Sequence, residues 1–384
     1  MHLIQIHKVI DQMISSFRRF GIWHGQDAAT VSQQRLKSLY FIYYLFFFAS
    51  FLIGAATKES LDESIFLAEM AIVITVLTTK IWMLLWKQKE IMGLLNRTCV
   101  FLIRYDEELA FFNDKVEKLI KFVVAFGYVT AVAMSGNSIF PFIGKQKRLI
   151  VDIAFPLDWK NSEIGFWLAY FFFLTENILS FPAIVIVTAI IWYLLLHCSL
   201  RYKILGTDIR NMGRIVGKLK MTEKERQTIF HRDLLEAIKG HLYLREIIDE
   251  VESFLSKLFL LQFAISAVCI CSAIYCLAFD ISVNFVQRLV QIYAFLYVIA
   301  ELFMITYFGN DIKLYSSRLT YSLFECNWVE QPLATKKCIL VFGEYLKRSH
   351  EVLIGKLYPL TLDTFVRILN SSYTLFNVLQ NLKQ

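Results

Sequence analysis

The sequence predicts an all-α polytopic membrane protein with seven transmembrane helices, its N-terminus cytoplasmic and its C-terminus extracellular. Three observations carry that prediction. The residues AVILMFWYC make up 57% of the 384 residues and charged residues only 19%, against ~25% charged in soluble domains. Seven apolar stretches have spanning length, and a helix needs about 20 apolar residues to cross ~30 Å of hydrocarbon. Lys and Arg, finally, are concentrated in alternate connections.

The stretches are Leu39–Ala56, Ile65–Trp86, Leu119–Ile143, Ile164–His197, Leu255–Phe279, Phe285–Phe308 and Tyr358–Leu382. Pro occurs only 5 times, so long helices can run uninterrupted. The fourth stretch covers 34 residues, or ~51 Å at 1.5 Å per residue, and is expected to tilt or to project into water. The seventh is less apolar, with Asp363, Arg367 and several Asn and Thr. The opening Met1-His2-Leu3-Ile4-Gln5 leads into no compact apolar run with a cleavage site, so no cleaved signal peptide is expected and the first span directs insertion.

Segments 1–37, 87–118, 198–250 and 309–356 hold 29 Lys and Arg, whereas 57–64, 144–163 and 280–288 hold 6. The positive-inside rule places the basic connections in the cytoplasm. The net charge of +7 is therefore a topology signal and implies no nucleic acid. This direction excludes a G-protein-coupled receptor, whose N-terminus lies outside. The chain also lacks Asp/Glu-Arg-Tyr at the end of its third span and Asn-Pro-x-x-Tyr in its seventh.

Glu69 and Lys80, near opposite ends of the second span, are expected to snorkel to the interfaces. Glu176 and Glu301 lie deeper, where an acid is a functional candidate. Glu176 is read as near a ligand pocket or structurally partnered, and Glu301 as packing. Cys99, Cys198, Cys326 and Cys338 fall on the reducing side and Cys269, Cys271 and Cys276 in the fifth span, so no disulfide is expected. No metal is called for, and the Cys trio reads as small packing residues. The sequons at Asn96 and Asn370 fall inside and in the membrane, so neither should be glycosylated.

Segments 201–253 and 311–350 are charged yet keep helical apolar spacing. Leu234, Leu235, Ile238, Leu242, Leu244, Ile247, Ile248 and Val251 recur at such steps. Met221-Thr222-Glu223-Lys224-Glu225 reads as a helix start capped by Thr222. Helical extensions below the membrane are expected, a partly helical solvated loop being the alternative. The chain thus divides into a cytoplasmic segment 1–37 and a six-helix bundle 38–308 with the cytoplasmic connection 198–253. A cytoplasmic anchor 309–356 and a seventh helix 357–384 follow. No internal repeat is apparent, which counts against an inverted-repeat transporter.

Asp363, Arg367, Asn370, Thr374, Asn377 and Asn381 are spaced 4, 3, 4, 3, 4, which draws one polar stripe along the last helix. In hydrocarbon that stripe needs water or polar partners. Two readings stay open: a pore lining, or hydrogen-bonding glue between helices. Val378 and Leu382 lie beside the stripe and in a symmetric assembly would form apolar rings, which can gate by dewetting.

The C-terminal quarter resembles the insect odorant receptor family. The residues that carry the resemblance are Tyr307-Phe308-Gly309-Asn310-Asp311, Tyr321 to Asn327-Trp328 with Pro332, and Pro359-Leu360-Thr361-Leu362-Asp363-Thr364-Phe365 running on to Tyr373-Thr374-Leu375-Phe376-Asn377-Val378-Leu379. The resemblance implies a subunit of a ligand-gated, non-selective cation channel in the plasma membrane of sensory neurons. Four subunits would surround a pore lined by the seventh helix, with an odorant co-receptor as the expected partner and a small volatile odorant as ligand. It puts the gate on Val378 and Leu382, beside Asn370, Thr374, Asn377 and Asn381. Leu375 where the family often has Tyr, and the lack of a long insertion in 198–250, point to an odorant-tuned subunit rather than the co-receptor. The odorant would sit in the outer half of the bilayer among the second to sixth helices. Met70, Ile74, Met134, Asn137, Phe173, Asn177, Tyr293 and Tyr297 fit that depth. A gustatory-type receptor channel is the alternative. A transporter or enzyme is disfavoured, since the seven His are scattered and no catalytic motif or cofactor signature is present.

Overall fold

The computed structural model describes residues 2–19, 23, 30–57, 61–142, 149, 154, 159, 161–213, 222–278 and 285–383. Ten helices occur among them: α1 (Lys8–Arg19), α2 (Val31–Thr57), α3 (Leu61–Trp86), α4 (Gln88–Cys99), α5 (Asp106–Ile139), α6 (Glu163–Arg210), α7 (Glu223–Ala278), α8 (Phe285–Phe324), α9 (Leu333–Leu346) and α10 (Leu362–Lys383). A short 3-10 turn (Phe140–Phe142) follows α5, and two short antiparallel strand pairs complete the set, β1 (His2–Ile4) with β2 (Phe101–Ile103) and β3 (Leu353–Ile354) with β4 (Tyr358–Pro359). Helices α2, α3, α5, α6, α7 and α8 contain segments long and apolar enough to cross a membrane. Their outward faces are apolar too: Leu39, Ile42 and Phe46 on α2, and Val124, Tyr128 and Val132 on α5, are exposed. A continuous apolar exterior of this kind suits lipid rather than water. α10 is the less apolar seventh helix.

The long helices show why charged segments kept an apolar period. α6 has 48 residues and α7 has 56, ~72 and ~84 Å at 1.5 Å per residue, so each projects well beyond the hydrocarbon. At the start of α7 the Thr222 amide donates to Glu225 Oε2 at 2.9 Å and the Glu225 amide donates to Thr222 Oγ1 at 3.4 Å. That reciprocal pair satisfies two amides the first helical turn leaves free. Met221 lies outside the described residues. Leu234, Leu244, Ile247, Ile248 and Val251 are buried, whereas Leu235 and Leu242 are exposed, so the buried arc is narrower than the spacing implied. Arg201 of α6 reaches the end of α4, donating to the carbonyls of Arg97 at 2.8 Å and Thr98 at 3.3 Å. A cation there meets unpaired carbonyls at the negative pole of the helix.

Two expectations are corrected. The seventh helix begins at Leu362, not Tyr358, because Tyr358–Pro359 forms β4. Pro359 has no amide to donate, and its carbonyl instead accepts from Thr364 Oγ1 at 2.6 Å. The turn between β3 and β4 needs Gly355 and Lys356 at φ 57° and 61°. Glu69 and Lys80 do not snorkel: both are buried, because the faces that carry them point into the bundle. Glu69 accepts from Ser272 Oγ of α7 at 2.9 Å.

His350 pins the segment before the β3–β4 turn to the long helices. Its Nδ1 lies 2.7 Å from the Tyr202 hydroxyl, its Nε2 3.0 Å from Asp249 Oδ1, and its amide donates to Ser316 Oγ at 2.9 Å. Burial pushes the imidazole below its ordinary pKa, with Arg245 acting in the same sense and Asp249 opposing. A depressed folded-state value means that the unfolded chain binds the proton more readily. The stabilisation is therefore complete above the ordinary His value of ~6.5 and is lost as pH falls through the folded-state value. Purified protein should show lower amide protection factors, exchange being taken relative to the intrinsic rate at each pH, at residues 349–354 on going from about pH 7 to about pH 5. His350→Asn should flatten that dependence, and an unchanged pH profile in the variant would remove the assignment.

Candidate ligand cavity and pore helix

A cavity of about 140 Å³ lies midway along the apolar segments of five helices. Its walls come from helical steps of three and four: Val73, Val76, Leu77 and Lys80 on α3; Gln262, Ile265, Ser266 and Cys269 on α7; and Tyr293, Ala294, Tyr297, Val298 and Glu301 on α8. Met134 of α5 and Ile184 of α6 close it. A dry cavity of ~150 Å³ holds a benzene ring, which sets the scale of what fits. Under the expected orientation it is displaced from the outer half towards the middle of the bilayer.

Its polar groups are few. Lys80 Nζ is ion-paired with Glu301 Oε1 and donates to Thr188 Oγ1 at 3.3 Å, while Thr188 Oγ1 lies 2.9 Å from Glu301 Oε1. Lys80 is 2% exposed and Glu301 3%. Either charge alone in such surroundings would be strongly unfavourable, and together they compensate one another. Glu301 is thus an ion-pair partner at the cavity wall, not a packing residue. Higher on α8 the Tyr293 hydroxyl donates to Thr130 Oγ1 of α5 at 3.0 Å. Opposite charges on the second and sixth spans were the available sequence signal for the pair. Spacing within each span could not show that they meet across α6.

Met134, Tyr293 and Tyr297 line this cavity. Tyr293 and Tyr297 share a helix face with ring centroids 6.2 Å apart, and Tyr297 stacks on Phe126 at 5.5 Å. Met70, Ile74 and Phe173 lie in a separate apolar cluster with Phe47, Phe51, Leu67, Phe166 and Tyr170. Asn177 of α6 is half-buried, and its Nδ2 has no partner among the described residues. The Asn137 side chain lies outside the described residues. Glu176 is fully buried, and neither carboxylate oxygen has a hydrogen-bond partner among the described residues.

On α10 the polar stripe faces away from the rest of the chain. Asp363, Arg367, Asn370, Thr374 and Asn381 are exposed and Asn377 is half-buried, while Ser372 on the opposite face is fully buried. Asp363 and Arg367 pair at 2.8 Å, and Thr374 Oγ1 donates to the Asn370 carbonyl at 2.9 Å. Val378 is 52% exposed; the Leu382 side chain lies outside the described residues. The buried face is tied directly to the cavity walls. Ser372 Oγ donates to the Ala267 carbonyl of α7 at 3.0 Å, next to Ser266, and Phe365 packs edge-on to Phe303 of α8 at 5.6 Å, two residues from Glu301.

A family model described as 7tm Odorant receptor matches residues 60–373. The chain belongs to that family. It is accordingly a multi-pass membrane protein of a receptor family, not an enzyme family. Among its relatives in this odorant receptor family, Odorant receptor 94a of Drosophila melanogaster is 26% identical over 227 residues, 59% of this chain and 56% of the relative. Odorant receptor 59a of the same organism is 25% identical over 264 residues, covering 63% of each chain. The matches therefore span less than two thirds of these relatives' own length. The fold is similar to that of the insect olfactory receptor OR5 from Machilis hrabei, solved in complex with eugenol. That likeness has a TM-score of 0.81 at 12% identity and covers 97% of this chain and 99% of that one.

Proposed function

We propose that this odorant receptor family chain is the odorant-tuned subunit of a ligand-gated, non-selective cation channel. It would sit in the plasma membrane of sensory neurons, N-terminus inside and C-terminus outside, in a hetero-oligomer with a co-receptor subunit, four subunits in all. The observation that carries this reading is the uncovered polar face of α10. Within one chain nothing described covers Asn370, Thr374 and Asn381; Thr374 bonds back to its own helix, but in hydrocarbon the Asn370 and Asn381 amides would be left without partners. Water along an assembly axis supplies those partners. Val378 and Leu382 are assigned to the apolar gate. The cavity is assigned to a small volatile ligand, which opens the pore only if it binds the open arrangement more tightly than the closed one. Contacts Ser372–Ala267 and Phe365–Phe303 offer the mechanical link, since both start on cavity-forming helices.

Cysteine accessibility tests the conduit. In cells expressing this chain with a co-receptor, Asn370→Cys, Thr374→Cys and Asn377→Cys should each make odour-evoked current sensitive to a charged thiol reagent. Block of at least half the current is expected, and Ser372→Cys on the opposite face should resist. Indifference of all three stripe variants to the reagent would leave helix–helix glue as the role of the stripe. The same cells without the co-receptor should carry no odour-evoked current.

A further inference from the structure

We infer that the cavity selects a small neutral ligand bearing one hydroxyl group, an alcohol or a phenol, which accepts a hydrogen bond from Lys80 and donates one to Gln262. The inference rests on the assignment of the cavity as the ligand site. Its source is the pairing state of the cavity's polar groups. An ammonium group has three donors; two of those of Lys80 are taken by Glu301 and Thr188, and the third has no partner among the described residues. Gln262 lines the same cavity, is 3% exposed, and its Oε1 has no hydrogen-bond partner among the described residues. Buried polar groups without partners are unfavourable, so a ligand that satisfies both gains over one that satisfies neither.

Charge narrows the choice further. Lys80 and Glu301 line the cavity together and neutralise one another, so a cationic amine or an anionic carboxylate would enter a low-dielectric setting with no counter-charge left to compensate it. A carbonyl compound accepts from Lys80 but has nothing to donate to Gln262. A hydrocarbon does neither. A hydroxyl both accepts and donates, and for that reason it also suits the Gln262 amide in either orientation. Water can hold the same two positions before a ligand enters, and a ligand hydroxyl reproduces its bonds when it displaces it. The remaining wall, with Val73, Leu77, Met134 and Val298, takes the apolar body, of about the size of one ring.

Three probes of equal heavy-atom count test this: benzyl alcohol, benzaldehyde and ethylbenzene, applied to cells expressing this chain with a co-receptor. Half-maximal concentrations should rise in that order, by about tenfold from alcohol to hydrocarbon. Gln262→Met, which keeps the volume and removes the amide, should raise the value for benzyl alcohol by about tenfold while moving that for ethylbenzene by less than about threefold. An alcohol no more potent than its hydrocarbon, silence to both included, overturns the inference, as does a Gln262→Met effect equal for all three probes. Ala294→Phe, which fills the cavity, separates the two levels. If it spares every odour response, the cavity is not the ligand site at all. If it abolishes them while the alcohol shows no advantage, only the hydroxyl inference fails.

Discussion

Lys80→Met is expected to cost about 3–5 kcal/mol, because it leaves Glu301 as an unpaired charge among apolar side chains. Against a total stability of the order of 5–15 kcal/mol for a folded domain, that loss should remove most of the protein from the cell surface. Lys80→Met combined with Glu301→Met takes away both charges and fills their volume with flexible apolar chains. The double variant should return most of the surface signal, since replacing a buried ion pair by packed apolar residues is often neutral. Surface labelling and thermal melting of the detergent-purified protein measure both. If the double variant is no better than the single one, the pair is not the reason Lys80 is tolerated there. Recovery of folding without recovery of alcohol responses would add that Lys80 also contacts ligand.

Gly309→Ala carries the second large effect. Gly309 is in α8 where that helix meets Leu360, just before α10, and an added Cβ would overlap the Leu360 carbonyl oxygen and side chain. A backbone atom cannot swing aside as a side-chain tip can, so α8 and the entry to α10 must separate. Overpacking of this sort costs about 1–3 kcal/mol, occasionally more, and here it acts at the base of the proposed pore helix. Lower thermal stability together with altered odour-evoked gating is expected. Gly93→Ala is the control: nothing lies within 4 Å of a Cβ there, and alanine is the better helix former by about 0.8–1 kcal/mol. Equal behaviour of the two variants would refute the close-approach explanation. Gly309 belongs to the Tyr307–Asp311 run that suggested the family, and the close approach supplies a physical reason for Gly at that place.

The remaining residues divide by what their information depends on. The seven apolar stretches, the Thr222 cap and the period of the cytoplasmic part of α7 were legible because each is a local pattern. A span is set by length and hydropathy, a cap by the spacing of two residues, and a helix face by steps of three and four. The stripe on α10 was legible for the same reason, and the structure added that its face is the uncovered one.

What the sequence could not decide was which faces of different helices meet. Lys80 and Glu301 are each one charge in one apolar run, and hydropathy gives such a residue only an interface to reach. Their pairing through Thr188 depends on how α3, α6 and α8 rotate about their own axes, a consequence of packing far along the chain. The same rotation sets Tyr293 and Tyr297 on the cavity, puts Met70, Ile74 and Phe173 into a second cluster, and brings the unforeseen Gln262 to the wall. Sequence by itself determined how many helices cross, how long they are and which carry polar faces, because those properties are summed along one segment. Only the tertiary structure decided the cavity and its polar chemistry, because hydrogen bonds and ion pairs between helices require two partners fixed within a few ångströms.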